Sequence, residues 1–183
     1  MIFVWPIILL IVFFGVYLRE EVFHSLNSLN MANTYHQMYI QTVFAVKYRD
    51  AVIKSSWKSD LLQVIGNLIN ETGCKTLIVN GVEDHIHCFI GLIPSISVSD
   101  LMQNSKAKSS KWINESKFLN HRFEWQPGFG SFTYSRSHID NVVRYIKNQE
   151  NHHKEHSFKE EYIETLVKFG VEYDDRYIFQ DLI

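Results

Sequence analysis

Residues 84–90 read Asp84-His85-Ile86-His87-Cys88-Phe89-Ile90, a run rich in strand-forming residues. In a strand, residues two apart project from one face, so both imidazoles are aimed at one spot. Working outward, Lys75 to Gly81 is a second β-rich run, and Val82-Glu83-Asp84 turns it into a His85–Leu92 strand that Pro94 breaks. Before this pair, Ser56 to Thr72 carries Leu61, Leu62, Ile65, Leu68 and Ile69 at helical spacing, stopped by Gly73. Earlier still, His36 to Tyr48 alternates. Met38, Ile40, Thr42, Phe44 and Val46 share one side and Gln37, Tyr39 and Gln41 begin the other, which predicts a half-buried strand.

After the histidine strand, Ser97-Val98-Ser99-Asp100 has a helix-start pattern and predicts a helix to about Glu115. Phe123 to Tyr134 is aromatic and interrupted by Pro127, Gly128 and Gly130, which suggests strand, turn and short strand. Ser137-His138-Ile139-Asp140 repeats the helix-start pattern before a helix that holds Tyr145 and Gln149. A final helix, Phe158 to Phe169, ends at Gly170. The order β-α-β-β-α-β-α-α predicts an α+β fold. It is a ferredoxin-like or RRM-like antiparallel sheet with helices on one face, the histidine strand central and Tyr145 on a C-terminal helix.

The chain has 183 residues, enough for one domain with a real core. A hydrophobic content of 46% and an aromatic content of 14% exclude a disordered chain. The net charge of −2 gives no global basic field for nucleic acid. Locally, Lys106, Lys108, Lys111, Lys117 and Arg122 stand against Glu115 alone, whereas the stretch from Glu155 to Asp175 is strongly acidic. Lys106, Lys108 and Lys111 read equally as a solvated helix face or as phosphate contacts. Cys74 and Cys88 lack CxxC spacing and read as buried thiols of a reduced, cytoplasmic protein.

Residues 1–30 differ from the rest. Ile2 to Leu18 is uncharged and apolar apart from the interruptions at Pro6 and Gly15, at the short limit of a membrane span. A basic start and a small-residue cleavage site, the marks of a signal peptide, are absent. The favoured reading takes Met31 as the true start, with a compact domain over 31–183. A membrane anchor and a buried helix are the alternatives.

Tyr145 and Gln149, four apart on a predicted helix, look the same way. A His-x-His pair alone is common packing in sheets, and a helix tyrosine is usually filler. Zinc hydrolases with His-x-His-x-Asp-His are excluded because Cys88-Phe89-Ile90 follows, and amidohydrolase barrels need about 250 residues. Together the four residues suit a metal-assisted nucleophilic site. A phenol with a pKa near 10 needs activation, and a divalent cation supplies it by polarising a scissile phosphate. Two imidazoles and a neutral amide oxygen suit Mg²⁺ or Mn²⁺ at least as well as zinc.

Asp84-His85-Ile86-His87 resembles the His-hydrophobic-His signature of HUH endonucleases. Tyr145-Ile146-Lys147-Asn148-Gln149 resembles the Tyr-Ile-x-Asn-Gln motif of the single-tyrosine transposases of IS-two-hundred type insertion sequences. Trp125-Gln126-Pro127-Gly128-Phe129-Gly130-Ser131-Phe132 is also similar to that family. The resemblance implies cleavage and rejoining of single-stranded DNA at element ends through a 5′-phosphotyrosine, without an external energy source. It implies Tyr145 as nucleophile and His85, His87 and Gln149 as ligands of Mg²⁺ or Mn²⁺. It also implies recognition of subterminal hairpins by shape, and a homodimer in which one subunit's tyrosine serves the other's histidines.

His152 and His153 read as solvated at a helix end, where cations suit the dipole, with proximity to the metal as the alternative. Trp112, Trp125 and Phe132 read as core rather than base-stacking platforms. Rival functions are a domesticated relative that processes chromosomal hairpins, and a non-catalytic RRM-like binding module, which needs aromatics on an open sheet face. A membrane-anchored structural protein is third, motivated by Ile2–Leu18 alone.

Overall fold

The computed structural model describes residues 35–154, 156–174 and 178. Four strands, β1 (Tyr39–Ala45), β2 (Lys75–Gly81), β3 (His85–Gly91) and β4 (Gly130–Tyr134), form one antiparallel sheet in the order β2-β3-β1-β4. Helix α1 (Ser55–Asn70) joins β1 to β2, and α2 (Val98–Ser116) joins β3 to β4. This is the expected ferredoxin-like arrangement. The histidine strand is central, paired with β1 so that Val43 faces His87 and Ala45 faces His85. Three helices follow: α3 (Ile139–Lys147), the single turn α4 (Gln149–His152) and α5 (Phe158–Lys168).

Alternation along β1 and β3 divides two cores. Ile40, Phe44, Ile86, Cys88 and Ile90 pack with Leu61, Ile65 and Ile69 of α1 and Leu101, Met102 and Ile113 of α2. On the opposite face, Phe89 packs with Val142 and Ile146 of α3, and Val43, Ala45 and Phe132 pack with Phe158 and Leu166 of α5. The pair α1 and α2 thus covers one face as expected. The C-terminal helices cover the other, so β1 is buried on both sides rather than half-buried. Trp125 and Phe132 are core residues, and Trp112 packs against the same core as Trp125.

The hairpin that presents His85 is tightly built. A Cβ at Gly81 would lie 2.2 Å from the His85 carbonyl oxygen, so a bare backbone is required there. Val46 N–H donates to the Asp84 carbonyl at 2.7 Å, which ties the end of β1 to the hairpin loop. The first of the two expected strands after Phe123 reduces to a single bridge between Val46 and Trp125. Cys74 and Cys88 are free and buried. Among the described residues, no helix is long and apolar enough to cross a membrane. The readings of residues 1–30 lie outside the described residues.

Candidate active site

His85 and His87 sit on one face of β3 with ring centroids 5.0 Å apart, both fully buried under the C-terminal helices. Each is held through Nδ1. Asp84 Oδ1 lies 2.7 Å from His85 Nδ1, and Arg49 Nη2 donates to the other Asp84 oxygen at 3.2 Å. Gln41 Nε2 lies 3.1 Å from His87 Nδ1, and the Tyr134 hydroxyl donates to Gln41 Oε1 at 3.0 Å. Arg49 sits in a left-handed backbone conformation (φ 58°), which turns its side chain back onto the hairpin loop. Such pinning through one ring nitrogen fixes the ring and presents the other nitrogen outward. In both histidines Nε2 is buried and has no hydrogen-bond partner.

The helix expected to carry Tyr145 and Gln149 is broken between them. Asn148 leaves helical geometry (φ −93°, ψ 14°), so Tyr145 lies in the last turn of α3 and Gln149 begins α4. The start expected at Ser137 is also different: Arg136–His138 forms a 3-10 turn, and His138 is the N-cap without a capping bond from its side chain, which pairs with Ser135 instead. The two side chains still meet, at Glu161 of α5. The Tyr145 hydroxyl donates to Glu161 Oε1, and Gln149 Nε2 donates to the same oxygen at 3.1 Å. His87 and Tyr145 rings are 6.1 Å apart. Within the single chain, the tyrosine thus lies beside the chain's own histidines.

Glu161 is 4% exposed and is the centre that sequence reasoning missed. Its Oε1 lies 3.5 Å from His87 Nε2, and its Oε2 lies 2.8 Å from His153 Nε2. His153 is thus drawn into the site rather than solvated, with its ring 4.6 Å from that of His85. His152 lies at the edge, 4.0 Å from Glu161. Local signals were present: Ser157-Phe158-Lys159-Glu160 is a capping box that starts α5 and places Glu161 in its first turn. Phe158, the first residue of that helix, stacks on His85 at 3.9 Å.

The electrostatics follow from burial around one carboxylate. Burial and the neighbouring His85 lower His87 to about 3, so it stays a neutral ligand. Burial pulls Glu161 upward, but the hydrogen bonds from His153 and Tyr145 and the imidazoles around it outweigh that and hold the acid below the ordinary carboxylate range. Burial pushes Tyr145 up, and the Glu161 charge pushes it further, so the phenol is protonated. Burial lowers His153, but its bond to Glu161 wins and raises it.

His85, His87, His153 and Glu161 each offer a ligand atom, all within 4.8 Å of one another. Ligands of one ion at bond lengths of about 2.1 Å stand about 3–4 Å apart, so a small inward shift of these side chains would let the group close on a divalent cation. The orphaned Nε2 atoms of His85 and His87 fit as well, and the buried Gln149 Oε1 also has no partner. The basic residues of α2 are elsewhere. Lys106 Nζ donates to the Gln126 carbonyl at 2.8 Å and to that of Gly128, tying the glycine-rich loop rather than facing solvent. Burial lowers its ammonium to about 8. Lys108 and Lys111 are exposed beside Glu71 and Glu115, on the sheet face opposite Tyr145.

The family model described as transposase, IS200 like, matches residues 34–149, more than half of the chain. The chain belongs to this family. The match ends at Gln149, and His153 and Glu161, which lie beside the histidine pair, fall beyond it. Two solved structures share the fold. One is a protein from Deinococcus radiodurans R1 assigned as a transposase, 18% identical with a TM-score of 0.53, covering 66% of this chain and 96% of that one. The other is a REP-associated tyrosine transposase bound to a REP hairpin, 15% identical with a TM-score of 0.51, covering 68% and 73%. No curated protein matches the chain.

Proposed function

We propose that this transposase cleaves and rejoins single-stranded DNA at the ends of an insertion sequence through a covalent bond to Tyr145. The observation that carries the reading is the Tyr145 hydroxyl bonded into a buried group of three imidazoles and a carboxylate. The Tyr145 oxygen attacks the scissile phosphorus, the bond from phosphorus to the 3′ oxygen breaks, and that oxygen takes up a proton. The strand is left with a 5′-phosphotyrosine and a free 3′-hydroxyl. Attack by another 3′-hydroxyl restores the phosphodiester and returns the phenol, so the bond energy is conserved.

His85 and His87 hold a Mg²⁺ or Mn²⁺ ion through Nε2, and Gln149 contributes its amide oxygen. When bound, the cation polarises the phosphate and offsets charge that builds on its oxygens. The chain's own residues prepare this step: Asp84 and Gln41 fix the imidazoles, and the C-terminal helices keep water from the ligand atoms. The DNA partner we propose is a single strand with a subterminal hairpin, the type of ligand borne by the REP-associated relative.

Incubating the protein with single-stranded element ends and Mn²⁺ tests the reading on a denaturing gel. A DNA–protein adduct is expected with the native chain and is absent with Tyr145→Phe, which keeps the ring. An adduct that persists in Tyr145→Phe overturns the nucleophile.

A further inference from the structure

Tyr145 stands on a ridge between two depressions of opposite character. On one side is a cavity of about 380 Å³, whose lining includes Glu161, Glu164, Tyr134 and Phe169. On the other is a shallow cleft of about 650 Å³ lined by Asn141, Arg144, Tyr145, Lys147, Asn148 and His152. The first sets two carboxylates, Glu161 and Glu164, against one lysine, Lys168, with His138 and His152 also in its lining, and the excess of acid disfavours a phosphodiester. The second presents two cations, two asparagine amides and His152 beside Tyr145, with no acid in its lining.

Arg144 and Lys147 are three residues apart on α3, so they project from neighbouring positions on one face. Both are exposed, and among the described residues neither has an acidic partner. Several other cations of this chain are engaged. Lys47 and Lys58 are paired with Glu124 and Glu150, and Lys106 is bound to carbonyl oxygens. Cations in a last helical turn also suit the helix dipole, a role that would need no ligand. What separates Arg144 and Lys147 from that role is the shared cleft with the tyrosine and the two asparagine amides at its rim.

We propose that this cleft is the backbone subsite for the single strand, with Arg144 and Lys147 holding the phosphodiester next to the scissile one. The proposal rests on the reading of Tyr145 as nucleophile: a strand whose phosphorus meets that oxygen passes along one side of the ridge, and the basic side accepts it. Contacts of this kind position the strand and carry no sequence preference. The lysines of α2, by contrast, lie across the sheet from the reacting atoms.

The test measures binding rather than cleavage, using Tyr145→Phe as the uncleavable background and fluorescence anisotropy with single-stranded element ends. Arg144→Ala with Lys147→Ala is expected to weaken binding about tenfold or more at physiological salt. It should also reduce the salt slope by about 0.7, since the two side chains hold one phosphodiester and each phosphate contact to a single strand contributes about 0.7. The pair Lys108→Ala with Lys111→Ala removes the same charge from the other face and is expected to change the slope less. A set of oligonucleotides with one neutral methylphosphonate each locates the contact. Neutralising the phosphate beside the scissile one should weaken the background protein and leave the Arg144→Ala, Lys147→Ala protein indifferent. Arg144→Lys with Lys147→Arg should restore most of the affinity. Equal losses from both lysine and arginine pairs, or a methylphosphonate effect that survives in the double alanine protein, overturns the subsite. Neither result bears on the nucleophile, which stands or falls with the adduct assay.

Discussion

Around Tyr145 a single buried carboxylate works against the chemistry unless something offsets it. Glu161 accepts the phenolic hydrogen bond and raises the cost of a phenolate, while drawing His153 toward itself. A cation held by His85 and His87 reverses that balance, because it neutralises the acid beside the phenol. Glu161→Gln keeps the shape and removes the charge. Manganese affinity, measured by calorimetry on the apoprotein, is expected to fall at least about tenfold, and an unchanged affinity would remove Glu161 from the metal's surroundings. Acid stability is a second residue-scale consequence. His87 is neutral in the folded chain down to about 3, whereas an unfolded histidine titrates near 6.5. Between these values the unfolded state binds more protons, so stability falls as pH falls, by at most about 1.4 kcal/mol per unit. Glu161, held below its ordinary range, adds loss in the same direction below about 4.5. His153, held above its ordinary value, adds stability that is present below about 6.5 and lost as pH rises through its folded value. In chelator, the Tm is therefore expected to drop between pH 6.5 and 4.5, and His87→Gln should flatten that drop.

At the scale of elements, α5 decides whether the motifs become a site. Phe158 is buried, stacks on His85 and packs with Val43, Ala45 and Phe132. Phe158→Ala is expected to cost about 3–5 kcal/mol, read by urea denaturation, and to loosen His85 more than a cavity elsewhere in the core would. A cost below about 1 kcal/mol would mean that α5 does not clamp the histidine face. The strands and the α2 cap at Ser97 were legible because alternation, a hydrophobic period and a Ser-x-x-Asp start are local signals. His85, His87 and Tyr145 were legible because strand and helix spacing aim side chains without knowledge of tertiary contacts. The role of Glu161 was not, since one glutamate among the seven acids of an acidic stretch has no local mark of burial. The same reason hid His153: its environment is made by a helix packed across the sheet, not by its own neighbours in sequence. Lys106 misled in the opposite sense. Its charge pattern reads as a solvated face, yet its stem is long enough to reach the carbonyls of the Pro127 loop.

For the molecule as a whole, the arrangement of the chain around its own site predicts how mixed preparations behave. Tyr145, His87 and Glu161 meet within one chain, with Tyr145 on α3, His87 on β3 and Glu161 on α5, packed on one face of the sheet. In a site of that kind, a chain carrying Tyr145→Phe and a chain carrying His87→Ala each lack an essential group. Mixing them leaves every site incomplete, whatever the oligomeric state. A site shared between subunits behaves differently, because a mixed pair then holds one intact combination of tyrosine and histidines. The expected outcome is that the mixture remains inactive in the adduct assay. Subunit exchange is verified first with two differently tagged native chains, so that inactivity is not merely a failure to mix. Recovered cleavage in exchanged pairs would show that α3 leaves its own chain to serve another. The Tyr145 bond to Glu161 within one chain would then describe a resting arrangement, and the reacting one would be built between subunits.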